Sequence, residues 1–323
     1  MNEYISTKED SDGKSENGDH KINEQSFRIP LNSLSQKDII QIFDNLNSEG
    51  RKIVIPIGFP QAGKSLFLSS LMYYSEKCPD KKWEGNCLSQ YPYDNGNRSR
   101  NLMIQYLDNK EAYPASIVGT LDLIGLNIEP HKKSLPVLKL AFLDLAGEDV
   151  KKIKTDESGE FSPQIEGILK ACELGNPIFC LITPYKPSTS DSAENALHKN
   201  FLDYLRERMP DLYHRSKFIV IVSQWDKKPV TEKLEVDEYI KQKRPALYTA
   251  MQSRQAKIVY GEFSVGKLFD TFDGTDEKGN PKPVVLIQRI DSQYPRNFWN
   301  NLYKLATGKS LVNEGWFDKL FGL

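Results

Sequence analysis

The run Gly58-Phe59-Pro60-Gln61-Ala62-Gly63-Lys64-Ser65 fits the pattern G-x-x-x-x-G-K-[ST], and each fixed position answers a demand of polyphosphate chemistry. Glycines at 58 and 63 let the backbone curl so that successive amides converge on an anion. A helix beginning at once would add the positive end of its dipole. Lys64 offers an ammonium to the β- and γ-phosphates of a nucleotide, and the Ser65 hydroxyl offers a ligand to Mg²⁺. The expected phosphate cradle is therefore Gly58, Gln61, Ala62, Gly63, Lys64, Ser65 and Leu66. With glycine at about 7% of an average chain, the bare pattern arises by chance in roughly one chain of this length in a hundred.

Two further constellations sit at the ends of apolar runs. Leu138 to Leu143 leads into Asp144-Leu145-Ala146-Gly147-Glu148. A carboxylate at the end of a strand beside the phosphate loop can hold Mg²⁺ through a water, and Gly147 can offer its backbone N–H to a γ-phosphate. Phe218 to Val222 leads into Ser223-Gln224-Trp225-Asp226-Lys227.

The order of these motifs resembles the TRAFAC class of GTPases, which includes small regulatory GTPases, translation factors and dynamins, and the resemblance covers roughly Lys52 to Gly266. It implies that Asp226 accepts hydrogen bonds from guanine N1–H and the N2 amino group, a donor pair that adenine lacks. The chain departs from the class at Ser223, where Asn or Thr is usual, and at Gln224, where Lys is usual. The class's base-side turn after the next strand falls on Phe263-Ser264-Val265-Gly266, so Ser264 and Val265 join Gln224 and Asp226 as base-side residues. The class also places a metal-binding hydroxyl just before the strand antiparallel to the one ending in Asp144. Ser116 and Thr120 are the two candidates. The segment Tyr113-Pro114-Ala115-Ser116 is similar to a Trp-Pro-Pro-Ala-Thr segment of bacterial double-GTPase-type proteins of conflict systems, which favours Ser116. Adjacency to the strand favours Thr120.

The resemblance implies attack of water on the γ-phosphoryl of GTP, with GDP as product. Lys64 would stabilise charge, and either Gln61 or Glu148 would position the water. Many members of the class carry Gln where Glu148 stands, and no arginine in the chain can be assigned as a finger. Slow intrinsic turnover follows, raised by a protein effector or activator or by self-association. A GTP-binding interaction module with negligible hydrolysis, and a P-loop ATPase, are the alternatives.

The elements needed to hold these residues are legible. Ser35 opens a helical pattern that ends near Gly50, and Lys52 to Ile57 is a buried strand feeding the phosphate loop and a helix from Lys64 to about Glu76. Leu102 to Leu107 is a further short helix. Val118 to Ile128 and Val137 to Leu143 form an antiparallel hairpin. Strands at 177–182, 218–223, 257–263 and 284–288 then alternate with helices at 162–173, 192–209, 236–253 (broken at Pro245) and 294–305. This predicts an α/β fold, the three-layer sandwich of P-loop NTPases, with a mostly parallel sheet and one antiparallel strand pair. Asp270 to Lys282, rich in Gly, Asp and Lys, is read as a loop, and Val150 to Gly159 as a second switch segment.

Residues 1–26 are polar and almost without bulky apolar side chains, a disordered tail. Residues 27–50 are an N-terminal helical segment, 51–308 the GTPase domain, and 309–323 an amphipathic tail placing Trp316, Phe317, Leu320 and Phe321 on one helical face. A formal net charge of −1 gives no pull toward nucleic acid. No apolar run reaches membrane-span length, so neither membrane contact nor a leader is expected. The four cysteines form no zinc or disulfide spacing, which fits a cytoplasmic protein.

Overall fold

The computed structural model describes residues 28–77, 85–88, 94–150, 161–186, 192–252, 258–275 and 281–311. The tail 1–26, the segment 151–159 and the amphipathic stretch beyond Leu311 lie outside the described residues.

The strands are β1 (Ile29–Pro30), β2 (Lys52–Gly58), β3 (Gly85–Leu88), β4 (Thr120–Pro130), β5 (Leu138–Leu145), β6 (Ile178–Pro184), β7 (Lys217–Ser223), β8 (Ile258–Glu262), β9 (Leu268–Thr275) and β10 (Pro281–Ile287). The helices are α1 (Gln36–Ser48), α2 (Lys64–Lys77), α3 (Asp94–Asp108), α4 (Gly147–Val150), α5 (Pro163–Cys172), α6 (Ser192–Arg208), α7 (Pro210–Arg215), α8 (Val236–Lys243), α9 (Pro245–Gln252) and α10 (Gln293–Thr307).

The main sheet runs β1-β4-β5-β2-β6-β7-β8, with β3 on the outer part of β4. β2 pairs in parallel with β5 on one side and β6 on the other, and β7 and β8 continue in parallel. The expected hairpin is present as β4 and β5, and the short edge strands β1 and β3 also run antiparallel to β4. The chain runs from β2 to β4 and β5 on one side and then from β5 to β6 on the other, and at such a switch point α/β sheets bind ligands in a crevice at the carboxyl ends of the strands.

Alternation along the strands divides the core into two layers. Ile53, Ile55 and Ile57 face a cluster built from α1, α5, α6, α7, α8 and α9, whereas Val54 faces one built from α2, α3 and α10. Helix α1 is stopped at its start by a capping box, in which Ser35 Oγ accepts from Asp38 N and Asp38 Oδ2 accepts from Ser35 N. Pro245 takes the first position of α9, where its lost N–H costs nothing, so the expected break becomes two helices. Buried Arg244 joins them, donating to Thr183 Oγ1 and to the Pro184 carbonyl.

One sequence expectation is corrected. Much of Asp270 to Lys282 is strand, because β9 and β10 pair antiparallel through 270–275 and 281–282. Its composition resembles a loop, but β10 is anchored elsewhere in the chain. Ala112 N donates to Val285 O at 2.8 Å and Ile287 N to Lys110 O at 2.7 Å. Helix α3 also begins well before Leu102, and α7 was not anticipated.

Trp299 of α10 is fully buried, edge-on to Phe142 at 5.8 Å between ring centres. Trp299→Ala should lower unfolding free energy by about 3–5 kcal/mol, read from chemical denaturation.

Candidate functional site

The 58–65 loop follows β2 and leads into α2. Gly58 ends that strand with no room for a side chain, since a Cβ there would stand 2.8 Å from Ile182 O. Gly63 has φ +84°, the left-handed region that glycine adopts without strain, and Gln61 takes φ +66°. The loop then enters α2, in whose first turn Lys64 and Ser65 are buried and Leu66 half-buried.

Gly147 begins α4 directly after β5. A Cβ added to it would meet Pro60 N at 2.8 Å, Gly58 O at 3.0 Å and Lys64 Nζ at 3.0 Å. The residue is therefore glycine because the chain from β5 lies against the loop and its lysine.

Next to this contact three side-chain oxygens gather. Ser65 Oγ stands 3.1 Å from Ser116 Oγ, and Ser116 N donates to Ser65 Oγ at 3.1 Å. Ser116 Oγ donates to Asp144 Oδ2 at 2.7 Å. Asp144 is buried, and its Oδ1 has no hydrogen-bond partner among the described residues. Loss of water raises its pKa, against the pull of Lys64, the Ser116 hydrogen bond and Arg28. Of the two hydroxyl candidates, Ser116 enters this cluster. Thr120 Oγ1 instead donates to Ile117 O at 2.8 Å, a local turn contact.

At the other end of the crevice, Ser223 and Gln224 brace the loop. Ser223 Oγ donates to Ala62 O at 2.6 Å, and Gln224 Nε2 to Gln61 O at 3.2 Å. The Gln61 side chain is exposed, and it is the residue's carbonyl that makes this contact. Asp226 is exposed, its carboxylate held by Ser264 Oγ at 2.7 Å, while Gly266 N donates to Ser264 Oγ at 3.1 Å. Val265 is buried and accepts through its carbonyl from Asp291 N at 3.1 Å. The turn carrying Asp226 rests on aromatic packing, with the Trp225 ring edge-on to Tyr185 and Tyr239 at 5.7 and 5.8 Å. The side chain of Glu148 lies outside the described residues.

Three residues near the oxygen cluster escaped the sequence reading. Asp149 Oδ2 accepts from Gly119 N at 2.8 Å, tying α4 to the segment after Ser116. Asp122 lies directly across the β4–β5 pair from Asp144. Arg28 stands 3.4 Å from Asp122, both side chains 1% exposed. A signal for Asp122 existed, a lone carboxylate inside the apolar run Leu121-Asp122-Leu123-Ile124. Arg28 carried none.

The fold is an α/β sandwich with a mostly parallel sheet flanked by helices. No family model matches the chain, and no curated protein matches it. Among solved structures, a dimerization-deficient mutant of Toc33 from Arabidopsis thaliana is similar over 89% of this chain and 96% of its own, at 11% identity and a TM-score of 0.38. A mutation variant of SsGBP is similar over 72% of this chain at 11% identity and a TM-score of 0.30, and the match spans 60% of that protein's chain. At such identity the chemistry has to be drawn from this chain's own residues.

Asp122 makes the site sensitive to pH. Burial pushes its carboxyl up to about 6, outweighing attraction to Arg28, with Asp144 adding to the rise. A carboxyl whose pKa is higher folded than unfolded holds its proton more tightly in the folded state. Its stabilising contribution is therefore complete below pH 4 and is lost as pH rises through 6. The stability of the wild type relative to Asp122→Asn should fall between pH 4 and 6 in denaturation series across that range.

Proposed function

We propose that the chain is a GTP-binding and GTP-hydrolysing molecular switch that uses Mg²⁺. The observation that carries this reading is the convergence of Ser65 Oγ, Ser116 Oγ and Asp144 beside Lys64 and Gly147, at the mouth of a phosphate loop. The donor set is hard oxygen, one of its carboxylate oxygens is buried without a partner, and both features suit a small divalent cation. Ser65 and Ser116 would hold Mg²⁺ directly and Asp144 through a water. When bound, the ion would neutralise charge on the β- and γ-phosphates.

The chain's own groups do the rest. Amides of the 58–65 loop and the Lys64 ammonium would bind the polyphosphate and meet the charge that develops as the γ-phosphoryl leaves. The Gly147 amide would sense the γ-phosphate, and its loss on hydrolysis would release the 113–120 and 147–150 segments together. Asp226, exposed and held by Ser264, would accept from the N1–H and N2 amino groups of guanine. Ser223 and Gln224 support the same reading despite their departure from the class, because both donate to carbonyls of the phosphate loop. Gln61 and Glu148 are the residues proposed to orient water, with turnover slow unless a protein activator or self-association raises it.

The test is nucleotide competition followed by phosphate release. GTP and GDP should displace a fluorescent guanine analogue while ATP does not, and Lys64→Ala should abolish binding. Asp226→Asn should weaken GTP by at least tenfold and strengthen xanthosine triphosphate, since an amide can donate where the carboxylate accepted. Tight GTP binding without multiple-turnover phosphate release would leave a binding module rather than a hydrolase. Preference for ATP would reject the guanine assignment.

A further inference from the structure

Arg28 precedes the edge strand β1, and β1 is laid along the segment that leaves Ser116. Ile29 pairs with Leu121 and Pro30 with Thr120, and Leu31 N donates to Gly119 O at 2.8 Å. From this position the Arg28 guanidinium points inward, with two partners. Its Nη2 donates to Tyr113 Oη at 2.9 Å, and its Nε stands 3.4 Å from Asp122 Oδ2. Tyr113 is itself buried, its ring edge-on to Tyr106 at 5.4 Å, and lies three residues before Ser116. Asp122 faces Asp144 in the strand register.

These contacts surround the oxygen cluster from behind. Two carboxylates directly opposite on adjacent strands repel each other, and the Arg28 cation lies beside one of them. A buried ion pair is a weak source of net stability, because desolvating both charges offsets most of their attraction. Separating it is costly, however, and that cost fixes geometry. Lifting Arg28 away would leave a buried carboxylate beside Asp144 and take from the Tyr113 phenol the hydrogen bond that ties it to Arg28. A guanidinium suits the position because its planar fork reaches two partners at once, which an ammonium on a flexible stem does not.

We propose that Arg28 is a positioning residue for the metal-binding oxygens, holding the 113–116 arm through Tyr113 and β4 through Asp122 so that Ser116 meets Ser65 and Asp144. The proposal rests on reading those oxygens as a Mg²⁺ site. It makes Arg28, at the entry to β1, part of the nucleotide-responsive machinery.

The test uses the full chain and a non-hydrolysable GTP analogue, titrated with Mg²⁺ and also measured in excess EDTA. Tyr113→Phe removes one oxygen. It should raise the Mg²⁺ concentration for half-maximal tightening by about three- to tenfold, the scale of one lost hydrogen bond, while affinity in EDTA stays within about twofold. Arg28→Lys keeps a cation beside Asp122 and should shift the Mg²⁺ requirement as Tyr113→Phe does. The double variant should be no worse than the more affected single, because both remove the same contact. An unchanged Mg²⁺ requirement in folded Tyr113→Phe would overturn the proposal. So would equal loss of affinity with Mg²⁺ and in EDTA, which marks a general structural role. Wild-type protein whose nucleotide affinity ignores Mg²⁺ would overturn the underlying site and the proposal with it, a failure visible before any variant is made.

Discussion

Holding the Asp144 carboxylate out of water is the constraint around which the crevice is built. A desolvated carboxylate is costly unless it is hydrogen-bonded or faces positive charge, and the chain answers with Ser116 on one oxygen and Lys64 and Arg28 in its electrostatic reach. Each comes from a different part of the sequence. The 58–65 loop, the 113–116 arm and Arg28 ahead of β1 are thus obliged to meet at the end of β5, and Gly147 closes the contact because no side chain would fit.

The sheet supplies the place for that meeting. The loop after β2, Gly147 after β5, Asp226 after β7 and Ser264 after β8 follow the carboxyl ends of strands, and the 113–116 arm enters at the start of antiparallel β4. Parallel strands put these ends on one edge, and the order of the strands switches sides about β2 there. The two braces on Ala62 O and Gln61 O join the turn after β7 to the 58–65 loop across the same edge.

The β9–β10 hairpin gives the two halves of the crevice a second connection. On one side it emerges from the turn that holds Asp226, where Gly266 takes φ +121° because a Cβ would fall on Arg289 O. On the other it hydrogen-bonds Lys110 and Ala112, at the root of the arm that carries Ser116. Its apolar residues Leu268 and Phe269 are exposed.

The local code of the chain determined the elements and the chemistry that short spacings can carry. β-Branched residues before Gly58, the glycine-flanked loop and the largely buried α2 are neighbours in sequence, so strand, loop and helix follow from local preference. The same holds for the β4–β5 hairpin and for the Ser35 cap. Tertiary structure decided what depends on distant partners. Ser116, rather than Thr120, reaches Ser65 and Asp144, because both hydroxyls read alike until β4 is paired and the arm is folded over α2. A segment with loop composition became β9 and β10 because Lys110 and Ala112 supplied an edge for it. Asp122 could be buried because Arg28, 94 residues earlier in the numbering, arrived beside it. Propensity acts over a few residues, whereas burial and charge pairing act across the folded interior, and no spacing in the sequence records which distant groups will share it.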